Sequence, residues 1–220
     1  MATSVEAKSR EQAPVAPLGP PWYRRHQRPL IVAGIALVAL AIVAWFVMAS
    51  GKRKEEFAAR SLNQARASAE AGNLPLASSE LQKLITTYKG TDAAHEAVIT
   101  LNQVRMVNGQ SELAVVGLRD FLKTKPPTKY LAPANGLLGA ALENAKRWAD
   151  AADAYLAAAN AAEVPYLKAA YLVDAGRAQV EAGKTEEAAK TYRTVLQKYS
   201  DSPSFTEAQV RLAELTAGKM

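Results

Sequence analysis

The sequence predicts an all-α protein: one N-terminal transmembrane helix, then an α-α superhelix of four 37-residue helix pairs, closed by a C-terminal capping helix. Three observations predict it. Ala77, Ala114, Ala151 and Ala188 stand 37 residues apart, and their neighbours recur with them. Leu30 to Met48 is an apolar run of nineteen residues without a charge. The end of the chain carries half of a further copy. A fixed period of about 20 to 50 residues marks a stacked architecture, in which each unit buries its apolar face on its neighbours.

The repeat comes first. Five residues before each alanine stand Gly72, Gly109, Lys146 and Gly183. Four residues after it stand Leu81, Leu118, Tyr155 and Tyr192, and three further on Leu84, Phe121, Ala158 and Val195. Steps of four and three are the helical period. Each copy reads as two helices. In the third, the first helix is expected from Pro133 to Ala145, with Leu138, Gly139 and Leu142 inward. The second is expected from Ala149 to about Ala162, with Ala151, Tyr155, Ala158 and Ala159 on one face.

Helix starts are marked by short polar residues. Ser111 before Glu112, and Thr185 before Glu186 and Glu187, suggest a capping hydroxyl followed by acids at the positive helix end. Asn73-Leu74-Pro75 is the equivalent in the first copy, with proline tolerated in the first turn. Pro126, Pro127, Pro165 and Pro203 punctuate the joints between copies. The alanine lets two helices approach closely, and Gly139 and Gly176 are expected to serve similarly on the partner helix. Phe205 to Leu215 is the lone last helix, with Leu212 and Ala213 in register with Ala175 and Gly176. A stacked array needs such a cap at its open end.

The apolar run comes second. As a helix it is about 28 Å long, close to the thickness of a bilayer's hydrocarbon core. Trp45 lies near one end, and Trp22 and Tyr23 precede the other, as interfacial aromatics do. Arg24, Arg25 and Arg28 flank the front; Lys52, Arg53 and Lys54 flank the back. A buried core helix of this length would keep a polar face. A cleaved signal peptide would have a shorter core and a shorter leader. The reading is an uncleaved signal anchor. Basic residues tie on the two sides. A short N-terminal tail stays inside more often, so the expected topology is N-terminus cytoplasmic and C-terminal domain outside.

Charge follows position. The chain carries +6. Residues 1–54 hold eight Lys/Arg and two Asp/Glu, whereas residues 55–220 hold nineteen of each. The excess lies beside the bilayer, where it can touch anionic headgroups. The repeat region has no net basic field, which argues against nucleic acid as a partner. The expected organisation is a proline-rich basic tail (1–29), the transmembrane anchor (30–50), a charged neck (51–57), four repeats (58–203), and a capping helix with its tail (204–220).

At Leu172, Gly176, Gly183, Ala188, Tyr192 and the tail Tyr199-Ser200-Asp201-Ser202-Pro203, the fourth copy resembles the tetratricopeptide repeat. Gly139, Ala151 and Tyr155 keep the same spacing in the third. The period is 37, where that family has 34. Ala65 and Asn102 stand at the small-residue position of copies one and two. The whole layout of basic stretch, anchor, neck and helix pairs is similar to bacterial inner-membrane proteins that are ancillary subunits of the Sec translocon. That resemblance implies a periplasmic repeat domain, association with the translocon or periplasmic chaperones, and a chaperone-adaptor role.

The chain offers little chemistry. It has no cysteine, which removes disulfides, thiolate metal sites and thiol catalysis. His95-Glu96 opens like a zinc-protease motif, but Ala97-Val98-Ile99 follows and the second histidine is missing. Gly72, Gly109 and Gly183 are turn glycines, not a phosphate loop. No enzyme activity, cofactor or metal is expected. The partners expected are other proteins and the lipid bilayer.

In tetratricopeptide arrays the first helices line the concave face. The register places Arg66, Glu70, Gln103, Met106, Glu143, Asn144, Arg177 and Glu181 there as candidate protein-binding residues. The central clamp position reads Arg66, Gln103, Ala140 and Arg177. It lacks the asparagine with which related arrays hold the C-terminal carboxylate of cytosolic chaperones, so that activity is not expected. The leading functional reading is a membrane-anchored protein-protein interaction scaffold. The alternative is an accessory structural subunit of a large respiratory or photosynthetic membrane complex. A cytosol-facing import receptor would need the opposite topology.

The alanine seam yields a test. Ala151→Leu should overpack the helix crossing and cost about 1 to 3 kcal/mol. Thermal unfolding should show a clearly lower Tm, and an unchanged melting curve would contradict the assigned crossing.

Overall fold

The computed structural model describes residues 27–217. The expected tail up to residue 26, with its interfacial Trp22 and Tyr23, lies outside the described residues, as do the last three residues of the chain. The described helices are α1 (Gln27–Glu70), α2 (Leu74–Thr87), α3 (Asp92–Val107), α4 (Ser111–Lys123), α5 (Leu131–Asn144), α6 (Trp148–Ala161), α7 (Pro165–Glu181), α8 (Thr185–Lys198) and α9 (Ser204–Ala217). A 3-10 turn at Thr128–Tyr130 precedes α5. No strand occurs among the described residues. The chain forms two units, one up to Ser50 and one from Gly51 onward.

In the first unit, the part of α1 from Leu30 to Met48 is exposed along its length, with Leu37 68% and Trp45 66% accessible. By length and composition it is sufficient to cross a bilayer. Ser50 returns its hydroxyl hydrogen to the Val47 carbonyl, 2.9 Å away. That bond satisfies the first polar side chain after the apolar run.

The second unit is a stack of antiparallel helix pairs in a tetratricopeptide-like superhelical arrangement. From α2 onward each helix packs on its neighbours in the chain, and the first helices of successive copies also meet, α3 on α5 and α7 on α9; Ala58, Leu62 and Ala65 of α1 share a core with Leu81 and Leu84 of α2. Ala77, Ala114, Ala151 and Ala188 are all 0% exposed. Leu81, Leu118, Tyr155 and Tyr192 are buried beside them, as are Leu84, Phe121, Ala158 and Val195. Ala208 of α9 joins Tyr192 and Val195 in the core of the fourth copy, with Leu212 and Leu215 packed against it. The last helix is therefore a cap.

The reversal within each copy is built the same way four times. Gly72, Gly109, Lys146 and Gly183 adopt φ of 79°, 74°, 58° and 75°. In each, the amide of that residue bonds three residues back and the next amide bonds five residues back. In copy three these are Lys146 to Glu143 and Arg147 to Leu142, both 2.8 Å. This double closure uses carbonyls that the helix end leaves free, and it requires the left-handed conformation that glycine adopts without a steric penalty.

Two helix starts differ from expectation. Ser111 and Thr185 are the first helical residues, not the caps. Gln110 and Lys184 hold the cap position, and neither makes a side-chain cap bond. The tight reversal fixes the entry one residue early, so the hydroxyls sit past the amides they would have capped. Asn73 does cap, accepting from the Leu76 amide at 3.2 Å. Thr91, which the sequence reading passed over, caps α3 by accepting from the Ala94 amide at 3.1 Å. The first helix of copy three begins at Leu131 and not Pro133, because the 3-10 turn leads straight into it. Pro133 then falls in the first turn, where it displaces no hydrogen bond.

Gly139 and Gly176 have a more specific role than helix approach alone. A Cβ on Gly139 would lie 2.7 Å from the Tyr155 ring, and one on Gly176 would lie 2.5 Å from the Tyr192 ring. Each glycine is the seat of its own copy's tyrosine. Copy two inverts the arrangement. There the bulk is on the first helix, as buried Asn102, and the space is on the second, where a Cβ on Gly117 would lie 2.5 Å from Asn102 Oδ1. Asn102 is satisfied in place: it donates to the Val98 carbonyl and accepts from Arg105.

Lys146 holds a conformation that costs a residue with a side chain about 1 to 2 kcal/mol. Lys146→Gly should therefore raise the stability of the repeat body by about 1 kcal/mol, read as a higher urea midpoint with an unchanged m-value. A loss of stability would show that the lysine's contacts outweigh its backbone strain.

Candidate protein-binding face

The first-helix residues named by the register do not form one continuous site. Four of them converge. Glu143 and Asn144 at the end of α5, and Arg177 and Glu181 on α7, line a shallow notch of about 320 Å³. Trp148, at the start of α6, supplies its aromatic wall. The others lie apart. Arg66 donates to Glu96 of the next copy at 2.7 Å. Gln103 and Glu70 are exposed, and Met106 is half-buried against the central core.

The notch has an ordered floor. Tyr155 donates its hydroxyl to Glu143 at 2.7 Å. Arg177 reaches back from the next copy and donates from Nη2 to Glu143 Oε2 at 3.1 Å and from Nε to Oε1 at 3.3 Å. Asp174, one turn earlier on α7, takes a second Arg177 contact at 3.1 Å. The arrangement joins the third copy to the fourth through three helices. The carboxylate of Glu143 is the hub, with a side chain only 16% exposed.

Titration follows from this packing. Burial pushes the Tyr155 hydroxyl up, and its hydrogen bond to the Glu143 carboxylate pushes it the same way. Burial pulls the Arg177 guanidinium down, but Glu143 and Asp174 together hold it above its ordinary value. Asp174 is raised, chiefly by burial, with Glu143 and Glu207 adding to the rise against the lowering by Arg177. Tyr155 is neutral and Arg177 charged across the physiological range. The floor presents fixed donors and acceptors.

His95 is structural in placement. Its ring packs 5.3 Å from Tyr130 and 6.0 Å from Phe121, centroid to centroid. No cluster of three or more His, Cys, Asp or Glu residues that could hold a metal ion occurs among the described residues.

Sequence reasoning missed Trp148, Tyr155 and Asp174 as neighbours of the face. For Tyr155 a signal was present, since it stands twelve residues after Glu143 across a short reversal. Trp148 lies on a second helix, outside the register used to find the face.

A tetratricopeptide repeat model matches residues 170–202, which span α7, α8 and the joint beyond. No curated protein matches the chain. Among solved structures, MamA is 20% identical with a TM-score of 0.59, over 74% of this chain and 83% of that one. PilF of Pseudomonas aeruginosa is 18% identical with a TM-score of 0.58, over 76% and 70%. A tetratricopeptide repeat protein of Parabacteroides merdae is 11% identical with a TM-score of 0.59, over 73% and 60%. At these identities the likeness is one of fold. The fold is tetratricopeptide-like, and the fourth copy matches the repeat itself.

The hub and its counterpart in the next copy give a paired test. Thirty-seven residues after Glu143 stands Val180, so the buried Tyr192 hydroxyl has no hydrogen-bond partner among the described residues. Tyr155→Phe should cost roughly 1 to 3 kcal/mol by leaving Glu143 short of a donor, whereas Tyr192→Phe should be neutral or slightly stabilising. Urea unfolding of the two variants measures the contrast, and equal losses would contradict the distinction.

Proposed function

We propose that this protein is a single-pass membrane scaffold whose repeat body stands outside the bacterial inner membrane and docks other proteins, as an ancillary chaperone adaptor of the translocon. One observation carries the anchoring. Leu30 to Met48 is helical, apolar on every face and exposed throughout, and nothing among the described residues of its own unit covers it. Exposing that much apolar side chain to water is unfavourable at about 25 cal/mol per Å², whereas hydrocarbon accommodates it. The long domain after the span, which can be translocated whatever its charge, supports a cytoplasmic N-terminus.

Docking is proposed on the first-helix face. Arg66, Glu70, Gln103 and Met106 offer contacts on copies one and two. The notch of Glu143, Asn144, Arg177 and Glu181 offers a preorganised one between copies three and four, with the Trp148 indole as a ready anchor. Arg and Trp are the side chains most often central to protein interfaces. Side chains already held by Tyr155 and Asp174 lose little freedom when a partner arrives.

Native purification of the full chain in mild detergent tests the assignment. Translocon channel subunits or periplasmic chaperones should copurify, and Trp148→Ala with Arg177→Ala should weaken their recovery by about tenfold or more. Redox subunits recovered in fixed ratio would instead assign the protein to an energy-converting complex. A reporter fused after Met220 should be active only outside the cytoplasm.

A further inference from the structure

The repeat region as a whole is neutral, but its charges are not evenly placed. At the edge where the chain enters the repeat body, the start of the copy-one helix meets the first two joints between copies. Three short segments come together there. Lys54 donates to the Lys89 carbonyl at 2.8 Å. Both oxygens of the Glu55 carboxylate accept from the α3 N-terminus, at the amides of Asp92 and Ala93, each 2.9 Å. Lys129 donates to Asp92 at 2.7 Å, and Tyr130 bonds the Asp92 carbonyl at 3.1 Å.

Glu55 is engaged with the positive end of α3 and Asp92 with Lys129, which leaves Glu56 as the unengaged carboxylate of the three segments. Lys52, Arg53, Lys54, Lys89, Lys125 and Lys129 are all exposed, six cations against three acids, and of these Lys129 is paired with Asp92. Lys125 lies at the second joint, where its φ is a left-handed 54°. Phe57 lies beside this group, 55% exposed, with the Arg60 guanidinium 5.7 Å from its ring centroid. The opposite edge differs. There Lys184 pairs with Glu187 at 3.6 Å, and Arg147 pairs with Asp150 and with Glu112.

We infer that this edge of the repeat body binds anionic phospholipid headgroups. The inference rests on the anchored reading above and deepens it. Lys54 follows Met48 by six residues, which bounds its distance from the end of the apolar run at about 20 Å whatever path the chain takes. Through the Lys54–Lys89 and Glu55–α3 bonds, the joints holding Lys89 and Lys129 are tied to the same place. Cations on long stems with an exposed aromatic between them suit the headgroup layer, where the stem and ring lie against apolar matter and the charge meets phosphate. Each basic residue at such a surface is worth about a fivefold gain in partition, and the effect fades beyond a Debye length of about 8 Å in physiological salt.

The test is lysine acylation, read by mass spectrometry, on the full chain reconstituted into nanodiscs of phosphatidylcholine alone or with about one third phosphatidylglycerol. Lys89 and Lys125 should react about fivefold more slowly in the anionic discs, and lose that protection in high salt, while Lys146 and Lys184 stay unchanged. Lys52→Gln with Lys89→Gln should return Lys125 to its rate in neutral discs; among the described residues these side chains make no bond, and circular dichroism checks the fold. A chain that stays outside the discs overturns the anchored reading and this one together. A chain that inserts, yet shows equal rates at both edges or in both lipids, overturns this one alone.

Discussion

The repeat body depends on how closely two helices can approach at one residue per copy. At 77, 114, 151 and 188 the side chain is a methyl group with no exposed surface. Anything larger holds the backbones apart, and the penalty propagates, because each copy is packed on the next. That is why the position recurs without drift while the residues around it vary. Close approach also leaves gaps to be filled. Copies three and four fill theirs with a tyrosine seated on glycine, and copy two with Asn102 seated against Gly117. Packing at crystal-like density constrains the total volume at a crossing more strictly than it constrains which helix supplies it.

Polar contacts are then distributed where the stack needs joining. Within a copy the core is almost wholly apolar. Between copies, ion pairs recur: Arg66 with Glu96, Lys129 with Asp92, Arg177 with Glu143, and Arg119 with Asp150. Most are half exposed and individually weak. The Glu143 hub differs because its carboxylate is largely covered and takes a tyrosine hydroxyl as well as the guanidinium. It gives the junction of copies three and four a preorganised polar contact.

Much of the fold was legible because a helix advertises its buried face by spacing. The alanines, the paired Leu or Tyr positions and the left-handed turn residues could be read from a 37-residue offset, and Lys146 could be placed in a turn despite being no glycine. Capping was less legible. Ser111 and Thr185 have suitable side chains but stand one residue too late, a displacement set by the reversal geometry. Half of the candidate face was placed together by the same register. Its aromatic wall was not, because Trp148 comes from a second helix and is brought to Glu181 across a junction of copies.

The sequence by itself determined what depends on local periodicity: the helical class, the copy length, the closing helix, and an apolar stretch long enough for a bilayer. These follow from which side chains recur at three, four and thirty-seven residues, and water alone enforces them. Tertiary structure decided which charges meet. Residues 55–220 are neutral in sum, yet folding brings the joint lysines Lys89 and Lys129 beside the neck that carries Lys52, Arg53 and Lys54, so that one edge gathers the basic excess. Coulomb partners are selected by distance through space, and partners some thirty-seven residues apart acquire a distance only once the copies stack.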